Sequence, residues 1–297
     1  LNRVLGRVRA AGVLVAAVLC VPACSPGGDA PDGARGASSG DDPKTWTLPL
    51  QSYMPDEKQQ QMLTDARESL LVTCMARYGF SYEPAPPMPE FGPESLTDLR
   101  YGIHDGKVVA QYGYKPAVDM AAVREQERVA MESTRLTPAE EAVMTGGQAN
   151  ASAKDVPEGG CAGEAYRKLM GDLRPQSTLA SDLSNTAYVK AQQDPAVKKS
   201  FSGWSACMAD KGYEYGKPMD AVDDPRFATD KAGALELATA GADLACREEH
   251  QVVRTWYRAE VDLQNDLIEE NAERLGTARS DLAAAVKRAS RILDEEG

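Results

Sequence analysis

The sequence predicts a mainly α-helical protein: a duplicated helical Cys-Met/Gly-aromatic unit with one disulfide per repeat, followed by a long C-terminal helix. Three observations carry that expectation. The segment Cys74-Met75-Ala76-Arg77-Tyr78-Gly79-Phe80-Ser81-Tyr82 returns almost position for position as Cys207-Met208-Ala209-Asp210-Lys211-Gly212-Tyr213-Glu214-Tyr215. Each copy is followed by one further cysteine with glutamate three residues on, Cys161 with Glu164 and Cys246 with Glu249. Beyond Pro225, as far as Leu293, there is no proline and an abundance of Ala, Leu, Glu and Arg.

At the N-terminus, Arg3, Arg7 and Arg9 precede a small apolar run over 10–21 that ends Val21-Pro22-Ala23-Cys24. This is the pattern of an export signal, and the run falls short of the roughly 20 residues of a membrane span. The small residues before Cys24 resemble the lipobox of bacterial lipoproteins, although Pro22 is an unusual letter there. The resemblance implies cleavage before Cys24 and a diacylglyceryl group on its sulfur. The alternative is a plain secretory signal cut nearby, with Cys24 an odd free thiol. Leu1 reads as a non-standard start codon or an incomplete N-terminus. The expected organisation is a signal peptide over 1–23, a tether over 24–44, a first repeat with an insertion over 45–175, and a second repeat with the long helix over 176–297.

Removing 1–23 takes away three arginines and no acid, so the formal charge moves from −12 to −15. Nucleic acid and anionic lipid demand clustered Lys and Arg, so this balance argues against both as bulk-surface partners. Of the six cysteines, Cys20 lies in the signal and Cys24 is assigned to lipid, which leaves four in an oxidising compartment. Four cysteines allow three pairings; the duplication favours Cys74 with Cys161 and Cys207 with Cys246. Without a CxxC, a metal cluster is not expected.

Residues 25–44 are rich in Gly, Ser, Pro and Asp without hydrophobic period, a flexible tether spanning roughly 25 Å. Folding is expected from Thr45 and Trp46. A helix over 55–78 places Met62, Ala66, Leu70 and Cys74 on one face at steps of four. Gly79 ends it, as Gly212 ends its counterpart, because glycine enters the left-handed region without a Cβ penalty. Pro84, Pro86, Pro87 and Pro89 then interrupt any regular element. A short helix is expected over 95–101, a brief strand at Lys107-Val108-Val109, and a longer helix over 117–132. Thr137-Pro138-Ala139-Glu140 has the signature of a capping box with proline in the first turn, ended by Gly146-Gly147. Helix resumes over 162–173 and again over 178–193.

Asp194-Pro195 opens the helix that carries Phe201, Trp204 and Met208 and delivers Cys207. The loop after it, 213–224, is much shorter than its counterpart, so the first repeat carries an insertion of roughly fifty residues. A recognition surface peculiar to one half would lie in it. The region after Pro225 would span about 100 Å if continuous. Val261, Ile268, Leu275, Leu282 and Ala289 recur at steps of seven, with Ala278, Ala285 and Ile292 in the companion position and Gln264 and Asn271 as polar members. That pattern fits a coiled-coil seam facing another chain, or a helix that folds back on its own domain, or a hairpin broken at Gly276-Thr277.

No catalytic residue, metal ligand or cofactor motif is assigned. His104, in a glycine-flanked loop, and His250, four residues after Cys246, sit in no nucleophile or metalloprotease motif and read as surface or helix-face residues. Trp46, Trp204 and Trp256 are spread apart and suggest no aromatic platform. The lipobox-like signal, the tether, the repeated Cys-Met unit and Gly159-Gly160-Cys161-Ala162-Gly163-Glu164-Ala165 together resemble a group of uncharacterised lipoproteins and secreted proteins of high-GC Gram-positive bacteria. The resemblance covers the chain from about Thr45 onward. It implies an extracytoplasmic location, disulfides and a helical fold, and brings no catalytic residues with it.

The expected function is a non-enzymatic cell-envelope binding or scaffolding lipoprotein. It would sit at the outer face of the cell membrane through lipid on Cys24, with an envelope protein partner at the C-terminal helix and no nucleic acid. The alternatives are a cell-wall-modifying enzyme, which needs a deep pocket with convergent carboxylates or His104, and a transporter-associated solute-binding lipoprotein, which the lack of alternating strand and helix makes a poorer fit.

Overall fold

A computed structural model describes residues 42–86, 92–147, 156–171 and 178–296. The signal sequence, Cys24 and most of the tether lie outside these residues, as do Pro87 and Pro89. The chain enters through two short 3-10 turns, Pro43–Thr45 and Pro49–Tyr53. The first is capped by Asp42, whose Oδ1 accepts from Lys44 N at 3.0 Å, so order reaches slightly further back than the expected tether boundary.

Eleven α-helices follow among the described residues, and no strand. α1 (Glu57–Arg77) starts at a capping box in which Asp56 Oδ1 accepts from Gln59 N and Gln59 Oε1 accepts from Asp56 N. α2 (Gly106–Tyr112) occupies the place where a strand was expected. Its cause is local: Asp105 Oδ1 accepts from Lys107 N and Val108 N, a side-chain cap that commits the two valines to a helix despite their β-branched preference. The helix expected over 95–101 is a series of turns instead, closed by Asp98 N to Ser95 O and Gly102 N to Leu99 O. α3 (Met120–Ser133) is capped by Asp119. α4 (Pro138–Thr145) has the expected Thr137/Glu140 box and the left-handed Gly146.

α5 (Gly160–Met170) and α6 (Leu179–Ala191) follow, then α7 (Pro195–Asp210), capped by Asp194 as expected. The short α8 (Pro218–Val222) and a 3-10 turn, Pro225–Phe227, lead to α9 (Ala234–Glu249). The C-terminal region is two helices, α10 (Val252–Glu270) and α11 (Ala272–Glu296). The break falls at Asn271, not at Gly276, which lies inside α11.

Both disulfides form as the duplication favours. Cys74–Cys161 joins α1 to α5, and Cys207–Cys246 joins α7 to α9. The two helix ends match in detail. Gly79 and Gly212 have φ of 81° and 88°, and Phe80 N and Tyr213 N each return to the carbonyl of a fully buried methionine, Met75 and Met208. Downstream, Glu164 Oε2 lies 3.8 Å from Cys74 Sγ and Glu249 Oε2 lies 3.7 Å from Cys207 Sγ. The recurring glutamate therefore flanks the bridge in each half.

The halves interlock. α11 packs along α1 and α5, and α10 packs along α6 and α7. Leu275, Ala278, Ala285 and Ala289 of the heptad pattern are buried, and Gln264 is fully buried with its Oε1 accepting from Leu50 N at 3.0 Å. Of the readings of this seam, the one in which it folds back on its own chain is what forms, because α1, α5, α6 and the entry turns carry the apolar surface that covers it. No helix of the described residues is long and apolar enough to cross a membrane.

Candidate functional site

The site is organised by residues 98–117, which belong to the first half in sequence but pack on α9 and α10 of the second. Two buried polar networks hold them there. In the first, Arg100 pairs with Glu260 at 2.7 Å while its guanidinium lies over the Tyr188 ring at 4.7 Å. Glu260 also accepts from Tyr101 Oη at 2.8 Å and from Gln264 Nε2 at 2.7 Å. In the second, Asp243 accepts from Arg247 Nε at 2.7 Å, Trp204 Nε1 at 2.7 Å and Tyr114 Oη at 3.0 Å. Arg247 then donates from Nη1 to Tyr101 O and from Nη2 to Pro218 O. Every charged member is matched, as burial of a charge requires.

Burial, together with the negative charges of Glu260 and Asp243 that accept their protons, pushes the phenols of Tyr101 and Tyr114 far above their ordinary range. Burial opposes the charge on Arg100, but Glu260 outweighs it and holds the guanidinium above its usual value. Burial also raises Tyr188 and Tyr257, and burial with an acidic hydrogen-bond partner pushes Tyr82 and Tyr215 up to about 12. A phenol raised in the folded state contributes stability that is full below its unfolded value near 10 and drains as pH rises through the folded one. Spectrophotometric titration is therefore expected to show Tyr82, Tyr101, Tyr114 and Tyr215 still protonated at about pH 11, with Tyr101 and Tyr114 ionising only as the helical signal is lost. Ionisation of all eleven near pH 10 with helicity intact would contradict the networks.

The loop above Arg247 is shaped by Gly102, whose φ of 95° suits glycine and whose backbone lies so close to the guanidinium that an added Cβ would collide with Arg247 Nη1. Ile103 and His104 then pass over the α9–α10 corner. At that corner Gln251 is the one non-glycine residue with positive φ among the described residues, at 51°. Such strain persists where surrounding structure enforces it. Here His250 does so: its ring covers Gly203 of α7, and its carbonyl accepts from Ser200 Oγ at 2.9 Å.

Between loop and corner lies a cavity of about 260 Å³, walled by Trp46, Ile103, His104, Leu244, Arg247, Glu248, Gln251 and Arg254 among others. A smaller cavity, about 90 Å³, adjoins it across Ile103 and His104. His104 is not the surface residue that the sequence suggests. Its side chain is only 11% exposed, Nε2 donates to Asp98 Oδ1 at 2.7 Å, and Nδ1 lies 3.9 Å from Asp42 Oδ1. Asp98 is fixed in turn by accepting Glu94 N at 2.7 Å.

The residues around the larger cavity supply an imidazole, two guanidiniums, a carboxylate and a carboxamide against apolar walls, a set suited to recognition by charge and shape. The four disulfide cysteines lie outside it. Among the described residues, the grouping with metal-ligand spacing is Cys207, Glu249 and His250, and its sulfur is already bound to Cys246. The tryptophans, apart in sequence, are drawn into one core: Trp256 stacks on Tyr188 at 4.7 Å, Trp204 is fully buried beside Asp243, and Trp46 packs on Tyr257 at 4.4 Å.

Sequence reading pointed to the stretch around 100–114 but missed Arg247, Asp243, Glu260 and Gln251. A signal was present for three of them. Glu236, Asp243 and Arg247 share the α9 face that carries Ala240 and Cys246, and Glu260 and Gln264 share the inward face of α10. Polar residues on an otherwise apolar helical face mark buried networks. Compared with protein-family models, with curated proteins and with solved structures, the chain matches none.

Proposed function

We propose that this chain is an extracytoplasmic binding module, lipid-anchored at Cys24 behind a signal peptide, built from two related disulfide-stapled halves, and non-enzymatic. Its binding site is the cleft between the inserted residues 98–117 and the α9–α10 corner. The observation that carries the reading is the clamping of this inserted segment across the opposite half by matched buried charges. At the edge of this interlock lies an open cavity bounded by apolar walls and a few polar groups, which is the usual composition of a ligand site. The binding surface thus moves from the C-terminal helix, whose seam is internally filled, to the cleft.

The Asp98–His104 pair supports a second reading, an extracellular enzyme with a carboxylate-oriented imidazole as general base. The residues lining the larger cavity include no hydroxyl or thiol nucleophile, so that enzyme would have to activate water. Photo-crosslinking from position 251, at the cavity mouth, tests the main reading in cells that produce the protein. One recurrent adduct is expected from this position and none from the distant Arg291.

A further inference from the structure

We infer that the Cys207–Cys246 bridge is a thiol–disulfide exchange site for small aminothiols, while Cys74–Cys161 is purely structural. This goes beyond the binding reading and stands independently of the cleft. The duplication makes the comparison internal. Four residues before the first cysteine stand Leu70 in α1 and Gly203 in α7, and four residues after the second stand Ala165 in α5 and His250 in α9. The first half fills the space beside its bridge with a buried leucine and a buried alanine of one apolar cluster. The second half exchanges the volumes and places an imidazole there. Gly203 lies inside α7, where glycine costs stability, and an added Cβ would collide with His250 Nδ1. The glycine therefore makes the room that the ring fills.

The surroundings of the two sulfur pairs differ accordingly. Cys207 Sγ, a Glu249 carboxylate oxygen and a His250 ring nitrogen all lie within 4.8 Å of one another. The side chains of Glu249 and His250 are 66% and 29% exposed, so their rotation opens a path to Cys207, itself 9% exposed. Cys161 and Cys246 have no exposed surface, which leaves Cys74 and Cys207 as the sulfurs open to attack. Cys74 is 2% exposed and lies beneath Glu164, which is largely buried and held by Arg77 and Lys168. Among the described residues, Glu249 has no Lys or Arg in ion-pair contact. Its exposed carboxylate beside the sulfur, on a chain of formal charge −12, favours a thiol that brings a positive charge.

The exchange balances with the aminothiol as its sole co-reactant. The incoming thiol gives its proton to the His250 imidazole as its sulfur bonds to Cys207 Sγ, since the thiolate is the attacking form. The Cys207–Cys246 bond breaks with its electron pair on Cys246 Sγ, which takes up the proton that His250 gives back. A mixed disulfide stands on Cys207 and a free thiol on Cys246. Attack of Cys246 on the mixed disulfide reverses the reaction.

Incubating the full oxidised chain with cysteamine, quenching by alkylation and mapping the peptides by mass spectrometry tests this. Cysteamine is expected on Cys207 and the alkyl label on Cys246, about tenfold faster than Cys74–Cys161 opens and about tenfold faster than with mercaptopropionate, which carries the opposite charge. Glu249→Gln is expected to remove that preference between thiols. His250→Ala is expected to slow the reaction about tenfold at about pH 7 and little above about pH 9, where the thiol ionises unaided. A merely structural role would not give that recovery. Gly203→Leu combined with His250→Ala copies the packing of the first half and should bring the second bridge down to the rate of the first. Equal opening of the two bridges, label that appears only as the helical signal is lost, or a rate indifferent to the charge of the thiol overturns the inference. So does a Gly203→Leu/His250→Ala chain that reacts like the wild type.

Discussion

Asp243→Ala is expected to destabilise the protein by about 3–5 kcal/mol, read as a fall in the urea midpoint with unchanged slope. Asp243 has no exposed surface and accepts from Arg247, Trp204 and Tyr114 at once. Its removal leaves a buried guanidinium uncompensated and two buried donors without an acceptor, each of which carries a desolvation penalty. A chain of this size should lose roughly 10 °C in its thermal midpoint. Adding Arg247→Met to Asp243→Ala should recover part of the loss, since an apolar replacement for both members of a buried pair is often close to neutral. The pair should therefore be strongly non-additive. A loss under about 1 kcal/mol for Asp243→Ala would mean that the second network does not hold residues 98–117 in place.

Removing either disulfide by paired Cys→Ala replacement should destabilise by a similar amount. The bridges close loops with sequence separations of 87 and 39 residues. In the chain-entropy description these are worth about 4.6 and about 3.9 kcal/mol, so loss of Cys74–Cys161 should be the more severe by a small margin. Both sulfur pairs also sit in separate apolar clusters, Cys74 and Cys161 with Leu70, Met75 and Val143, and Cys207 and Cys246 with Trp204, Met208 and Trp256. Alanine in their place adds a packing loss in each. Equilibrium unfolding of the two double variants under non-reducing conditions measures this. Wild-type midpoints in both would show that the bridges do not constrain the unfolded chain as described.

The legible parts of the fold were those written in local chemistry. Asp194-Pro195, Thr137 with Glu140, and Gly79 with Gly212 each fix a helix end through atoms a few residues apart, and each appears in the structure as read. The pairing of the cysteines followed from the recurrence of one pattern. The parts that stayed hidden depend on groups far apart in the chain. Arg100 meets Glu260 across 160 positions and Tyr101 O meets Arg247 across 146, and no local pattern encodes such distances.

The C-terminal heptads show the same limit from the other side. A seam of Leu275, Ala278, Ala285 and Ala289 specifies that something apolar must cover it, and α1 and α5 of the same chain meet that need as well as a second chain would. At Lys107-Val108-Val109, side-chain preference pointed to a strand while the preceding Asp105 decided for a helix. The cavity itself could not be read, because its walls come from the entry turn, the loop at Ile103-His104, α9 and α10, which converge only in the folded molecule.

The most direct test of the central claim, that the cleft beside the α9–α10 corner is where this protein binds, is photo-crosslinking from position 251 in producing cells, followed by mass spectrometry of intact protein and peptides. Gln251 is exposed and its left-handed backbone accepts any unbranched side chain at the strain that glutamine already carries, so the probe should not disturb the fold. The account predicts one recurrent adduct from this position, lost when Leu244→Trp fills the cavity, and none from Arg291. A bare spectrum at 251, or an adduct indifferent to Leu244→Trp, would contradict it.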